Sequence, residues 1–437
     1  MLIDPALAQE AAAASAPKVT VNKADDAWMM VASLLVLMMT VPGLALFYGG
    51  MVRPKNMLSI ITQVLAIQAI VCVVWFLWGY SFAFTEIPKD SSLAFLAPFV
   101  GGAQKLFLSG VSAESLADTF TDGVKIHELV FVCFQMTFAA ITTALVIGGF
   151  AERMKFSAVV LFAVIWPTFI YFPIAHMVWG SGGFLLDLGA LDFAGGTVVH
   201  INAGIAGFVG ALLLGKRIGF KKEPMPPHSL AFTMVGASLL WVGWFGFNAG
   251  SALEANGSAV LAMANTFVAT AAAGVSWMLV EWLIKGKPSL LGLASGVVAG
   301  LVAVTPAAGS AGPMGELILG LIAGAGCFFF CTSVKSAFGY DDTLDVFGVH
   351  AVGGMIGAIG TGIVHSPALG GQGGADFNMM AQVFIQIEAV VLTIIWSGVG
   401  SFIVYMIIGS LVGLRVSEET EREGLDIAEH GERAYNM

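Results

Sequence analysis

The most regular feature of the sequence is a series of long apolar runs separated by short polar segments. Each run has about 20 residues, the length that a helix needs to cross the hydrocarbon core of a bilayer. Helices are favoured over isolated strands because a helix satisfies its own backbone hydrogen bonds in lipid. Eleven such runs occur, at residues 27–49, 57–84, 126–150, 156–180, 197–215, 229–252, 258–284, 289–309, 313–335, 345–364 and 382–412.

Composition agrees with a chain that faces lipid. Of its 437 residues, 57% are hydrophobic and 11% are charged, whereas soluble domains have about 25% charged residues. The 54 glycines suit membrane helices, in which small residues let backbones approach closely. The net charge of −10 opposes nucleic-acid binding, which needs a basic surface. We predict an all-α membrane protein with eleven transmembrane helices.

Lysine and arginine are unequally distributed between the two sides of this predicted array. With the N-terminus outside, 14 of the 19 lie on the inner side, in loops, in the tail or, for Lys335, at the inner end of a predicted span, and five lie outside. Basic loops remain in the cytoplasm. We therefore expect an external N-terminus and a cytoplasmic C-terminus.

Eleven spans divide into five, five and one, and the fifth and tenth resemble each other. Each opens on an acid and contains one histidine, in the stretches Asp192–His200 and Asp345–His350. A unit with an odd number of spans reverses its orientation when it is repeated. We therefore predict two inverted five-helix repeats plus a C-terminal helix, with the substrate path at their interface.

Few ionisable side chains lie within the spans, so His200 and His350 are the first candidates for function. An imidazole donates and accepts hydrogen bonds and titrates near neutrality. The alternative is that each histidine only bonds a neighbouring helix. Asp192 likewise has two compatible interpretations: it caps the fifth helix, or its charge attracts a cation.

Aromatic residues recur near these positions. Phe134 and Phe138 are four residues apart and share a helix face, and Phe247 follows Trp244 in the sixth span. Trp179 closes the fourth span. Such rings attract cations, although phenylalanine is more often core and a terminal tryptophan more often belongs to the interfacial belt. The four cysteines (Cys72, Cys133, Cys327, Cys331) lack metal-ligand spacing and are interpreted as core residues.

Several long motifs are distinctive in their exact order of residues. They are the stretches Phe47–Gly50, Asp192–Asn202, Gly243–Ser251, Val304–Pro306, Asp345–His350 and Glu421–Asp426. These motifs closely resemble bacterial ammonium transporters of the Amt/Mep/Rh family. The resemblance extends from about residue 22 to the tail, and the segment 86–122 matches poorly. Between Trp179 and Asp192 the chain is one residue longer than the family pattern.

This resemblance implies a role for each matching residue. Trp179, Phe134 and Ser251 would recruit ammonium in an outer vestibule, supported by Asp192. Phe138 and Phe247 would form the gate of the pore. The pore itself would be lined by His200, His350, Trp244, Thr305 and, along the fourth span, Tyr171.

The implied function is ammonium transport, with ammonia and a relayed proton, or net ammonium, crossing an apolar pore. The substrate would be ammonium, ammonia or methylammonium. The resemblance also implies a homotrimer in the lipid bilayer of the bacterial inner membrane and nitrogen uptake.

The alternatives are an ammonium sensor, which usually needs a long output domain, and a neutral gas channel of the Rhesus type. The sequence has no P-loop, nucleophile elbow or metal cluster, so we expect no enzyme, ATP-driven pump, metal or cofactor.

The termini complete the predicted organisation. Residues 1–26 form an external segment, 27–412 the transporter domain and 413–437 a cytoplasmic regulatory tail. Ala6-Leu7-Ala8 has the form of a signal-peptide cleavage site, with a disordered leader as the alternative. The acidic tail, with Glu421 and Asp426, is expected to dock on the basic loop and to respond to a PII-type regulatory protein. That loop contains Lys216, Arg217, Lys221 and Lys222.

Overall fold

The computed structural model describes residues 20–435, so the predicted cleavage site lies outside the described residues. In this range ten helices are long and apolar enough to cross a membrane, and Leu290–Val304 is a shorter apolar helix of 15 residues. The prediction of an all-α membrane protein with eleven spans is confirmed. The helices are α1 (Lys23–Met51), α2 (Pro54–Phe84), α3 (Glu128–Phe150), α4 (Phe156–Leu188), α5 (Gly196–Leu214), α6 (Leu230–Gly250), α7 (Gly257–Lys285), α8 (Leu290–Val304), α9 (Pro313–Phe338), α10 (Phe347–Val364) and α11 (Met379–Val412).

Shorter elements lie outside the spans. The tail forms α12 (Glu418–Glu423) and α13 (Leu425–His430). A small sheet has the order β1-β3-β2, with β1 (Thr20–Val21) parallel and β2 (Leu116–Asp118) antiparallel to β3 (Val124–His127). The sequence analysis did not anticipate this sheet. Short 3₁₀ turns occur at Ala94–Leu96, Leu106–Leu108 and Pro367–Leu369.

Polar caps define where several helices begin. The Asn22 side chain accepts a hydrogen bond from the Ala24 N–H at 3.0 Å, so α1 begins four residues earlier than the apolar run that predicted it. The Asn256 side chain accepts from the Ser258 N–H at 3.0 Å at the start of α7. Such caps satisfy the free N–H groups of a first helical turn.

The helices α5 and α10 are equivalent members of the two halves. Each begins with a π-helical segment, Gly196–Ile201 or Phe347–Ala351, and continues as 13 α-helical residues. They cross so closely that a Cβ on Gly204 would collide with the Ala351 backbone. Only a small residue permits this approach of two membrane helices.

The two ends of the helix array differ. The hairpin formed by β2 and β3 marks one end, here called the hairpin face, and α12 and α13 mark the other, the tail face. Because successive spans alternate in direction, α5 starts at the hairpin face, whereas α10 starts at the tail face. The histidine-bearing helices therefore run in opposite directions, as an inverted repeat requires.

Candidate functional site: a histidine pair in a narrow apolar passage

The two predicted histidines lie side by side in the middle of the structure. The Nδ1 atoms of His200 and His350 are 3.3 Å apart, and their rings are nearly parallel, with centroids 5.4 Å apart. Both side chains are buried. Close packing of α5 on α10 at Gly204 and Ala351 holds the two rings together.

This arrangement restricts the protons on the two rings. A hydrogen bond between two Nδ1 atoms requires one of them to carry the proton and the other to accept it. In the neutral pair, one Nε2 is therefore an acceptor and the other carries a proton. Within residues 20–435, Nε2 of His200 has no hydrogen-bond partner. The pair can thus offer both a donor and an acceptor to a small polar molecule.

Asp192 anchors the beginning of the His200 helix. Its carboxylate accepts hydrogen bonds from the N–H groups of Gly195, Gly196 and Thr197 at 2.6–2.8 Å, and from the Thr197 hydroxyl. These N–H groups belong to the first turn of α5, which has no other acceptor for them. The capping interpretation of Asp192 agrees with this geometry.

The acid that caps the His350 helix is Asp342, not Asp345. Asp342 accepts from the N–H groups of Val346 at 3.1 Å and Phe347 at 2.8 Å. Asp345 instead pairs with Lys335 at 2.6 Å. The expected match of Asp345 with Asp192 is wrong, because Asp342, like Asp192, lies eight residues before its histidine.

Two stacked phenylalanine rings lie on the hairpin side of the histidines. Phe138 and Phe247 are stacked, with centroids 4.1 Å apart and an interplanar angle of 23°. Phe134 contacts Phe138 edge-on at 4.8 Å. Phe247 also lies 6.0 Å from the His200 ring, so the stack and the histidines are consecutive layers.

A very small cavity lies beside the histidines. Its volume is about 10 Å³, roughly the smallest that holds one water molecule. Trp244 forms part of the wall and stacks on His200 at 5.3 Å, while its Nε1 donates to the Thr305 hydroxyl at 2.9 Å. Thr305 and Tyr171 are fully buried and do not line this cavity.

A wider cavity, here called the vestibule, lies on the hairpin side of the phenylalanine stack. It has a volume of about 230 Å³, and Trp179 and Ser251 line it as the resemblance implies, whereas the fully buried Phe134 does not. The Ser251 hydroxyl donates to the Phe247 carbonyl at 2.9 Å. Its remaining lone pairs can therefore accept a hydrogen bond from an N–H group in the vestibule.

Buried charges fill the tail face next to the end of α5. Glu152 accepts hydrogen bonds from Arg53 and Arg217 at 2.9 and 3.0 Å, and Arg217 also forks onto Asp341 at 2.8–2.9 Å. Burial alone raises the pKa of Glu152, but the two guanidinium groups hold it below its ordinary value. Burial also raises the pKa of Asp341, but the hydrogen bonds and charge of Arg217 hold it below its ordinary value. These carboxylates are therefore charged at neutral pH.

The tail docks on this face through two acids. Asp426 accepts from the Ser59 N–H at 2.8 Å, in the first turns of α2. Glu421 accepts from the Ile218 N–H at 2.7 Å and from Arg415 at 2.8 Å. Both carboxylates are buried, so the tail is packed against the helix array.

The expected charge pairs between the tail and the basic loop are not formed in residues 20–435. Arg217 binds Glu152 and Asp341 instead, and Lys221 donates to the Ser336 carbonyl at 2.9 Å. Lys216 and Lys222 form no ion pair with the described tail. The physical reason is that buried carboxylates take backbone N–H donors with fixed geometry, whereas exposed lysines remain solvated.

The fold defines a multi-pass membrane protein built from two inverted halves, with a histidine pair buried where they meet. The model of the Ammonium Transporter Family matches residues 27–435, and the chain belongs to that family. The resemblance seen in the sequence motifs is confirmed. The family consists of transporters rather than enzymes.

Relatives and solved structures agree over nearly the whole chain. An ammonium transporter of Aquifex aeolicus is 49% identical, covering 97% of this chain and 96% of its own. One from Bacillus subtilis is 46% identical, with coverages of 94% and 98%. The structure of Saccharomyces cerevisiae Mep2 has a TM-score of 0.80 at 33% identity, with coverages of 91% and 88%. A structure described as a sensor Amt protein has a TM-score of 0.83 at 27% identity, with coverages of 93% and 98%.

Proposed function

We propose that this chain takes up ammonium at the hairpin face and passes ammonia and a proton separately to the tail face. The observation that supports this most is the 3.3 Å contact between His200 and His350. Both line a passage of about 10 Å³ whose other walls are apolar side chains and Trp244. A hydrogen-bonded pair in apolar surroundings suits a molecule that can lose and regain H⁺.

Energetics oppose the passage of an intact ion through such walls. Moving an isolated charge into a low-dielectric medium costs tens of kcal/mol by Born estimates. Cation–π attraction returns only about 0.5–2 kcal/mol. Ammonia carries no charge, so deprotonation at the vestibule removes most of this barrier.

The histidines supply a path for the released proton. In the proposed relay, the proton binds the bare Nε2 of one ring, and the Nδ1 proton of that ring moves to Nδ1 of the other. The second ring then releases its own Nε2 proton toward the tail face. Uptake adds one H⁺ to the pair and release removes one, so the complete sequence moves one H⁺ and leaves the total number of protons on the pair unchanged. A potassium ion has no proton to give up, so the same passage rejects it.

We further propose that the hairpin face is external and that the chain resides in a bacterial inner membrane as a homotrimer. The 14 basic residues expected on the cytoplasmic side, against five outside, support this orientation. The docked tail offers a surface at which a PII-type protein would regulate transport. Methylammonium, which also carries a removable proton, is a second expected substrate.

A sensor is the second candidate, because the sensor Amt structure has a TM-score of 0.83 with this chain. A Rhesus-type gas channel is less well supported, since Trp179 and Ser251 line a vestibule suited to a cation.

Current recordings from proteoliposomes separate these functions. We expect a saturable current under an ammonium gradient and none under an equal potassium gradient. Nitrogen flux without current would favour the gas channel, and neither flux nor current would favour the sensor.

Removing the two docking acids of the tail, with Glu421→Ala and Asp426→Ala, is expected to release the tail and reduce the ammonium current several-fold. Each change leaves a buried N–H group without its acceptor, which destabilises the docked state by about 1–3 kcal/mol. Glu421 bonds Ile218, the neighbour of Arg217, so its loss also loosens the loop that follows α5. Limited proteolysis of the tail and transport current measure the two effects.

Glu419→Ala is the matched control, because Glu419 is an exposed acid on the same tail helix. It should preserve both the resistance to proteolysis and the current. If the double variant carried the same current as the native chain while its tail was fully accessible to protease, docking of the tail would not govern transport.

A further inference from the structure

The hairpin of β2 and β3 forms one wall of the vestibule. Asp118, Thr119 and Phe120 line this cavity together with Trp179 and Ser251. The family resemblance assigned no role to this segment. Its contact with the vestibule therefore raises the question of what the hairpin contributes to uptake.

Several bonds fix the hairpin in place. The Thr121 hydroxyl donates at 3.0 Å to the buried carboxylate of Glu254, which lies in the same connection between α6 and α7 as Ser251. At the other end, the His127 N–H donates to Asp26 at 3.0 Å. Pairing of β1 with β3 adds a third attachment. The hairpin residues thus keep a defined position at the entrance.

Asp118 is the one formally charged residue among the described residues that line the vestibule. Its side chain is 81% exposed, so it is accessible to ions from solution. The adjacent Phe120 is also exposed, and a carboxylate beside an aromatic face suits a small cation. The remaining walls are aromatic, aliphatic or neutral polar side chains.

Asp118 already binds a group with the chemistry of the substrate. The Lys125 ammonium group lies 2.7 Å from its carboxylate. Like the ammonium ion, this group carries one positive charge and donates through N–H bonds. Exposed ion pairs of this kind are weak and exchange readily.

We infer that Asp118, next to Phe120, is an outer capture site where an ammonium ion replaces the Lys125 side chain before it reaches Trp179 and Ser251. This inference rests on the proposed function and adds a specificity-determining residue to it. Lys125 acts as a competitor that lowers the occupancy of the site at low ammonium concentration. The chemistry that defines the ligand is a primary ammonium group or the ammonium ion itself.

The test compares Asp118→Asn with Lys125→Met, which break the same ion pair but change the charge in opposite directions. At low ionic strength we expect the KM for ammonium to rise about two- to fivefold in Asp118→Asn and to fall about as much in Lys125→Met, in the range of an exposed ion pair. The maximal current should stay unchanged, because the phenylalanine stack and the histidines are untouched. Both shifts should shrink at high salt.

A purely structural role of the ion pair predicts the same direction of change in both variants, so equal directions, or no change, would overturn the capture site. Asp122→Asn, an exposed acid in the same hairpin that does not line the vestibule, controls for general surface charge and should leave KM unchanged. Calorimetric titration of the solubilised variants with ammonium chloride measures binding without transport. We expect the affinity to be highest in Lys125→Met and lowest in Asp118→Asn. If the variants bind ammonium in this order of affinity but the protein carries no current, the capture site would stand and the proposed transport function would be contradicted.

Discussion

Replacing both buried histidines, as His200→Ala with His350→Ala, is expected to reduce the ammonium current at least about 100-fold. A hydrogen bond between uncharged groups, such as ammonia and an imidazole, contributes about 0.5–1.5 kcal/mol, and every 1.4 kcal/mol of barrier corresponds to a factor of ten in rate. Loss of both imidazoles removes two such bonds and also the path for the proton. Current recordings under an ammonium gradient measure the effect.

The matched control for this variant is His365→Ala. His365 lies beyond the end of α10 and lines neither the passage nor the vestibule. Its loss should leave the current intact. Undiminished current in the double histidine variant, with unchanged selectivity over potassium, would rule out the relay.

Asp192→Ala is expected to destabilise the protein and to abolish transport. The change leaves the N–H groups of Gly195, Gly196 and Thr197 without their acceptor in a buried place. Each such group costs about 1–3 kcal/mol, so the start of α5 should shift and carry His200 away from its partner. The melting temperature in detergent and the ammonium current report the two consequences.

Two milder changes should cause smaller losses of stability and current. Asp192→Asn keeps one carbonyl oxygen as an acceptor and should show an intermediate loss. Asp342→Ala removes acceptors for two backbone N–H groups rather than the four that Asp192 bonds, and should destabilise less than Asp192→Ala. A native melting temperature and native current in Asp192→Ala would contradict the proposed role of the cap.

Hydrophobicity predicted the spans well because bilayer thickness dictates the length of each apolar run. The predicted run 229–252 and the observed α6 at Leu230–Gly250 differ by one or two residues at each end. The larger differences have local causes, such as the Asn22 cap that starts α1 at Lys23. The hairpin at 116–127 was not predicted, because its three- and four-residue strands carry too short a pattern to identify.

The candidate site was predicted less completely than the fold. Sequence motifs indicated His200 and His350, but their 3.3 Å contact depends on packing of α5 on α10. The eight-residue spacing to His350 would have identified Asp342 in place of Asp345. By contrast, no sequence signal indicates that Glu421 bonds the backbone N–H of Ile218. Backbone donors look alike in every sequence, so such partners emerge only from the structure.

The central claim, that ammonia and H⁺ cross separately, is tested most directly by the ratio of charge moved to nitrogen moved. Current and labelled methylammonium uptake can be measured in the same proteoliposomes, for the native chain and for the double histidine variant. The account predicts a ratio near one in the native chain and a ratio falling toward zero in the variant, because its residual nitrogen crosses uncharged. A ratio of one in both proteins would contradict the account, since it would mean that the intact ion is conducted.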